Sequence, residues 1–281
     1  MEQKSLEIIQ SALILAADLK LAAPLSAGAF DGHRTGSRSG GAMEFAEYRS
    51  YREGDPLRRI DWRLYARSEQ LMVRRFAQET DPRCDIIIDC SASMALYDKS
   101  AAAAGMAAFF AKCALNAGFS LQVWALKDEV IKIDDPGEPL LWKVPESDGR
   151  GDPPEILQSS PPGFYRNGLR IFLSDLFFET PPGSFMGALG GNPIVIQLLG
   201  AEEQEPSVTG DVTLEDPESG TFKTLQIDVN VIAEYKEQLS LFQNKWADDV
   251  RNCGGKIFFF TATEVLKEWK MEQFFREGVL Q

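Results

Sequence analysis

The chain has 281 residues, and 29 basic against 42 acidic residues give a formal charge of −13. That charge disfavours nucleic acid or an anionic membrane as the main partner, and the length suits one large α/β domain with additions. The four cysteines (Cys84, Cys90, Cys113, Cys253) show no paired spacing, which excludes a disulfide framework or a zinc knuckle and fits reduced thiols in a cytoplasmic protein.

In chain order, Leu6, Ile9, Ala12, Leu13, Ala16 and Leu19 recur at helical spacing and predict a helix over 5–21. Asp18 and Lys20 interrupt it, so it reads neither as a signal sequence nor as a membrane span, and no window elsewhere is long and apolar enough for one. Residues 31–76 hold most of the arginines and none of the lysines, interleaved with acids and aromatics. Arginine over lysine points to bidentate pairing with carboxylates, in an internal network or on an exposed surface for an acidic partner or a nucleic acid. Glycines and serines at 36–41 predict a loop before it, and Gly54-Asp55-Pro56 a turn within it.

Leu71–Ala77 predicts a strand leading to Pro82. Then Ile86-Ile87-Ile88 predicts a buried strand ending at Asp89, with Ser91 and Ser93 on the turn into an alanine-rich helix over 98–117. One carboxylate and two hydroxyls thus share a strand-to-helix corner. Such hard oxygen donors, few of them charged, suit Mg²⁺ or Mn²⁺ that keeps waters, although serine and aspartate there also serve as ordinary helix caps. Strands follow at 120–126 and 130–133, then a proline-rich loop with a short helix near 154–158. Buried strands come at 169–175, which ends in Asp175, and at 193–199. Asp216-Pro217-Glu218-Ser219-Gly220 between short β-prone runs predicts a hairpin within 205–228. A helix at 230–251, a strand at 256–260 and a closing helix at 263–277 complete the chain. Strands alternating with helices predict a mostly parallel sheet covered on both faces.

Glu44-Phe45, Tyr51-Arg52-Glu53-Gly54-Asp55, Arg59-Ile60-Asp61-Trp62 and Ala66-Arg67, followed by Asp89-Cys90-Ser91-Ala92-Ser93-Met94 and Leu173-Ser174-Asp175-Leu176, resemble the bacterial domain of unknown function 58 family. The resemblance covers about residues 30–265. It implies a von Willebrand factor type A-like fold over 81–281 with a hairpin insertion, while the residues themselves predict an N-terminal helix and arginine-rich segment over 1–80 packed on it. It implies a metal-ion-dependent adhesion-like site of Asp89, Ser91, Ser93 and Asp175. It also implies a partner or adaptor role beside a MoxR-type AAA+ ATPase, with no established enzyme activity. The family's usual threonine is not evident in 147–152, where Asp152 stands as the candidate third carboxylate and Arg150 as a candidate neutralising charge.

Two other readings compete. One is an acidic scaffold that binds partners without metal. The other is a phosphoester hydrolase, but haloacid dehalogenase chemistry wants a second aspartate where Ser91 stands, and the only histidine, His33, lies in the glycine- and serine-rich loop.

Overall fold

The computed structural model describes residues 3–22, 43–52, 60–78, 82–159, 162–164 and 168–281. The chain divides into two compact units, residues 1–24 with 82–281 and residues 25–81. His33, the 36–41 loop, Gly54-Asp55-Pro56 and Arg59 fall outside the described residues.

The first helix, α1 (Gln3–Leu15), is shorter than its apolar spacing predicts, and it belongs to the larger unit. The sequence groups it with the arginine-rich segment, which instead forms the smaller unit. That smaller unit contains β1 (Met43–Ser50), α2 (Trp62–Ser68) and β2 (Met72–Gln78), with β1 and β2 antiparallel. Asp61 explains the Arg-Ile-Asp-Trp signature locally. Its Oδ1 accepts the N–H groups of Arg63 at 3.0 Å and Leu64 at 3.1 Å, capping α2, and its Oδ2 accepts the Tyr48 hydroxyl at 2.7 Å. One buried carboxylate therefore starts the helix and ties it to β1.

In the larger unit the chain continues as β3 (Arg83–Asp89), α3 (Lys99–Asn116), β4 (Ser120–Leu126), β5 (Val130–Ile133), α4 (Pro153–Ser159), β6 (Leu169–Ser174), α5 (Pro182–Leu189), β7 (Asn192–Leu199) and α6 (Ala201–Gln204). The hairpin strands β8 (Gly210–Glu215) and β9 (Phe222–Ile227) follow, then α7 (Val229–Asn252), β10 (Lys256–Thr261) and α8 (Glu272–Arg276). The main sheet runs β10-β7-β6-β3-β4-β5, parallel throughout except for β5 at the edge. The closing helix expected over 263–277 is broken. A π-helical turn at Glu264–Glu268 ends at Trp269, whose φ of 46° is left-handed, and α8 begins after it.

Strand residues alternate between two apolar layers. Ile86, Ile88, Ile171 and Leu173 face a layer with α1, α3 and α8. Ile87, Phe172 and Val195 face one with α4, α5 and α7. Burial on both faces is why β3, β6 and β7 read as continuous apolar runs rather than alternating ones. The contact of α1 with α3 needs Gly105, because a Cβ there would lie 2.3 Å from Ile8 Cγ2. The end of α1 is closed by Asn116, whose Nδ2 lies 2.9 Å from the carbonyls of Ala16, Ala17 and Leu19. Among the described residues no helix is long and apolar enough to cross a membrane.

Candidate functional site

The chain leaves β3 through α3 to β4 on one side and later returns to β6 on the other, so the strand order reverses between β3 and β6. Parallel sheets bind ligands outside the carboxyl ends of strands at such a point. Asp89 closes β3 and Asp175 follows β6, and both are buried. Asp89 Oδ1 accepts the Ser91 N–H at 2.8 Å, and Oδ2 accepts the Ser174 hydroxyl at 2.5 Å. The hydroxyls of Ser91 and Ser93 lie 3.2 Å apart. Asp89, Ser91, Ser93 and Asp175 are thus gathered at one edge, while the other buried acid of β3, Asp85, sits further down the strand with the Trp124 indole N–H on its Oδ1.

The 147–152 loop is fastened beside them by its backbone. The Ala92 N–H donates to the Gly149 carbonyl at 2.8 Å, and the Gly149 N–H to the Cys90 carbonyl at 3.1 Å. Only glycine fits this approach, since a Cβ would stand 2.9 Å from Lys127 Cγ and 3.0 Å from the Cys90 carbonyl oxygen. Asp152 Oδ2 accepts the Thr180 hydroxyl, and its Oδ1 is buried with no hydrogen-bond partner. The Arg150 side chain is exposed, and its backbone N–H donates to Asp128.

The neutralising charge comes instead from Lys99, a residue that motif spacing does not single out. Its fully buried ammonium lies 2.8 Å from Asp175 Oδ2 and 2.6 Å from Glu203 Oε1. Asp175 Oδ1 in turn accepts the Phe177 N–H at 3.1 Å. A signal for Lys99 exists in the sequence: a cation in the first turn of an alanine-rich helix opposes the helix dipole, so it needs an acid there. Ser174, inside the quoted Leu173-Ser174-Asp175-Leu176 run, is likewise not singled out there as a site residue, yet it donates to Asp89. Glu218, on the β8–β9 turn, is half-buried. Burial, then Asp175 and Asp216, hold its carboxyl above the ordinary range. Three non-glycine residues around this edge, Tyr97, Asp98 and Leu176, have φ of 54°, 61° and 66°. Such left-handed backbone costs energy and gathers at functional sites.

Burial, and secondarily Asp175, push the Asp89 carboxyl up to about 7, against the opposing hydrogen bonds from Ser174 and Ser91. A carboxyl raised on folding adds stability that is complete below the ordinary carboxylate range and is lost as pH rises through about 7. In EDTA, the unfolding free energy is expected to fall between pH 5 and pH 8 by on the order of a few kcal/mol from this group. Asp89→Asn flattens that fall in urea titrations. Equal slopes in wild type and variant would contradict the assignment.

A hard divalent cation, which the resemblance implies, suits this donor set. The donors are all oxygen, no thiol or imidazole is among them, Asp152 keeps an unsatisfied oxygen, and the acids outnumber the one ammonium. Among the described residues no group of three or more His, Cys, Asp and Glu side chains is arranged to hold a metal, so Asp89, Asp175 and Asp152 do not form a three-carboxylate cage.

The model of the family described as "Protein of unknown function DUF58" matches residues 47–139. Two relatives, "Uncharacterized protein Mb1516" of Mycobacterium bovis and "Uncharacterized protein Rv1480" of Mycobacterium tuberculosis, are each 24% identical over 263 residues, covering 82% of this chain and 78% of theirs. Among solved structures, the "conserved hypothetical protein BatB from Bacteroides thetaiotaomicron" is 10% identical with a TM-score of 0.36, covering 70% of this chain and 98% of that one. An "aerotolerance-related membrane protein from Bacteroides fragilis" is 12% identical with a TM-score of 0.34, covering 66% and 95%. Structural overlaps of that extent carry no argument about fold or function.

Proposed function

Because this chain belongs to the DUF58 family through its residues 47–139, we propose that it is a non-enzymatic interaction module with a von Willebrand type A-like domain, whose sheet-edge site binds Mg²⁺ or Mn²⁺ and takes a carboxylate from a protein partner. The observation that carries this reading is the convergence of Asp89, Ser91 and Ser93 beside Asp175 at the strand-order reversal. The hydroxyls of Ser91 and Ser93 and the Asp89 carboxylate would hold the ion. Asp175, already paired with the Lys99 ammonium, contributes negative field rather than a ligand oxygen. Asp152, on the loop fastened to β3 through Gly149, keeps one unsatisfied oxygen. When bound, the cation supplies charge that offsets the buried acids and a coordination position that an incoming carboxylate can complete.

The partner suggested by the family resemblance is a MoxR-type AAA+ ATPase, and the free thiols of Cys84, Cys90 and Cys113, all buried, support a reducing cytoplasmic setting. The test is co-elution of this chain with a purified MoxR-type ATPase from the same genome. Co-elution is expected in Mg²⁺, and it is lost in EDTA and in Asp89→Ala/Ser91→Ala. Absence of co-elution in Mg²⁺ would overturn the partner. Co-elution indifferent to EDTA would favour the second reading, a metal-free scaffold, which rests on Lys99 already neutralising part of the acidic cluster.

A further inference from the structure

The main sheet has two edges, and they are finished differently. At one, β5 is only four residues long and carries Lys132, and both features discourage a further strand from adding there. At the other, β10 runs six residues as Lys256-Ile257-Phe258-Phe259-Phe260-Thr261. Phe258 and Phe260 are buried against Phe274 of α8, with ring centroids 4.4 Å and 5.4 Å from it, which holds the strand by one face. Ile257 and Phe259 are only half-buried.

Main-chain N–H groups alternate sides along a strand, so the bonds of two residues fix the direction of those between them. The Gly255 N–H donates to the Val250 carbonyl at 2.9 Å, and the Thr261 N–H donates to Glu264 Oε2 at 2.8 Å. Neither goes to β7, the neighbour of β10 in the sheet. Ile257 and Phe259 have the same parity and so turn their N–H and C=O groups away from β7. Among the described residues no backbone hydrogen bond from outside the sheet reaches these groups. They form a short free edge, closed at its far end by Glu264.

A cavity of about 230 Å³ opens beside the same stretch, lined by Ile257 and Phe258 together with Arg251, Lys256, Arg276 and Glu277. Three cations and one acid there reverse the sign of a chain whose net charge is −13. Part of this clustering is local chemistry. Arg251 and Arg276 stand in the last turns of α7 and α8, and the Lys256 ammonium donates to the Glu277 carbonyl. Helix ends alone do not call for an open strand edge beside them. The Arg251 pair with Asp248, at 3.4 Å and exposed on both sides, is too weak to neutralise the patch.

We propose that the free edge of β10 is a docking site for an extended, acidic segment of a partner protein, which adds as a further strand beside Ile257 and Phe259 and sets a carboxylate in the basic cavity. Main-chain pairing supplies the affinity, and Arg251, Lys256 and Arg276 select acidic over basic segments. The cavity lies at the amino end of β10, the opposite end of the parallel strands from Asp89, so this docking does not depend on the cation reading.

The experiment uses the full chain and three short synthetic peptides. One alternates valine and glutamate, one alternates valine and lysine, and the third is the glutamate peptide with every amide N-methylated, which keeps the charge but cannot donate to a strand. Hydrogen exchange read by NMR follows the Ile257 and Phe259 amides, and fluorescence anisotropy follows affinity. At saturation the glutamate peptide is expected to slow exchange at both amides by about tenfold or more, and the other two peptides leave it unchanged. Arg276→Glu, a change at an exposed residue, weakens the glutamate peptide by about tenfold, whereas Lys132→Glu at the other edge does not. Phe259→Pro, which removes an N–H that an edge strand can spare, abolishes binding while circular dichroism stays native. Glutamate-peptide binding without protection at these amides, or equal binding of the N-methylated peptide, overturns strand addition. Absence of binding overturns the site altogether. Protection that grows with protein concentration in the absence of peptide assigns the edge to a second copy of the chain and overturns the acidic partner.

Discussion

Replacing Lys99 by methionine is expected to lower the unfolding free energy by about 3–5 kcal/mol, because it leaves buried carboxylates without their partner. The side chain is fully buried, its ammonium touches both Asp175 and Glu203, and the Phe177 ring lies 5.9 Å from it. Methionine keeps most of the length and apolar stem, so the loss reports charge rather than volume. Adding Asp175→Asn to Lys99→Met should recover part of the loss, since neutralising both partners removes the uncompensated charge. Urea unfolding with unchanged m-value measures both variants. A loss below about 1 kcal/mol for Lys99→Met, the range of an exposed pair, would mean that water reaches this cluster.

Calorimetric titration of Mg²⁺ and Mn²⁺ is expected to give a binding heat in wild type that vanishes in Asp89→Ala/Ser91→Ala and falls at least tenfold in affinity in Ser91→Ala. The hydroxyls cannot be spared because carboxylates alone are too few and too committed. Asp175 has accepted hydrogen bonds on both oxygens, and Asp152 has one oxygen on Thr180. Binding also displaces the proton that burial holds on Asp89, so affinity weakens as pH drops below about 7 and the measured heat varies with the buffer's ionisation enthalpy. Circular dichroism of the double variant separates lost binding from lost fold, and an unchanged heat in the variant would remove Asp89 and Ser91 from the site.

How much of this was legible in the sequence depends on the range of each interaction. The strands Ser120–Leu126 and Val130–Ile133 match their apolar runs residue for residue, because burial there follows from local composition. The corner of Asp89, Ser91 and Ser93 was also readable, since its spacing is local. The strand Met43–Ser50 was not, because it mixes acids and aromatics without a clean alternation. The helix Pro182–Leu189 hid behind Pro181-Pro182-Gly183, which reads as loop although proline is at home in a helix's first turn. Within the site, the decisive contacts join residues far apart in the chain: Lys99 meets Asp175 across 76 positions and Glu203 across 104. No periodicity or motif encodes such pairs. Asp61 is the reverse case, a residue conspicuous within a signature whose structural work, capping α2 and holding Tyr48, appears only in three dimensions.

Crystals grown with Mn²⁺ and measured at the manganese absorption edge test the cation site most directly. The account predicts an anomalous peak within coordinating distance of the Ser91 and Ser93 hydroxyls and on the Asp89 side of them, with the Lys99 ammonium still on Asp175. Saturating Mn²⁺ that leaves no peak at this corner would contradict it.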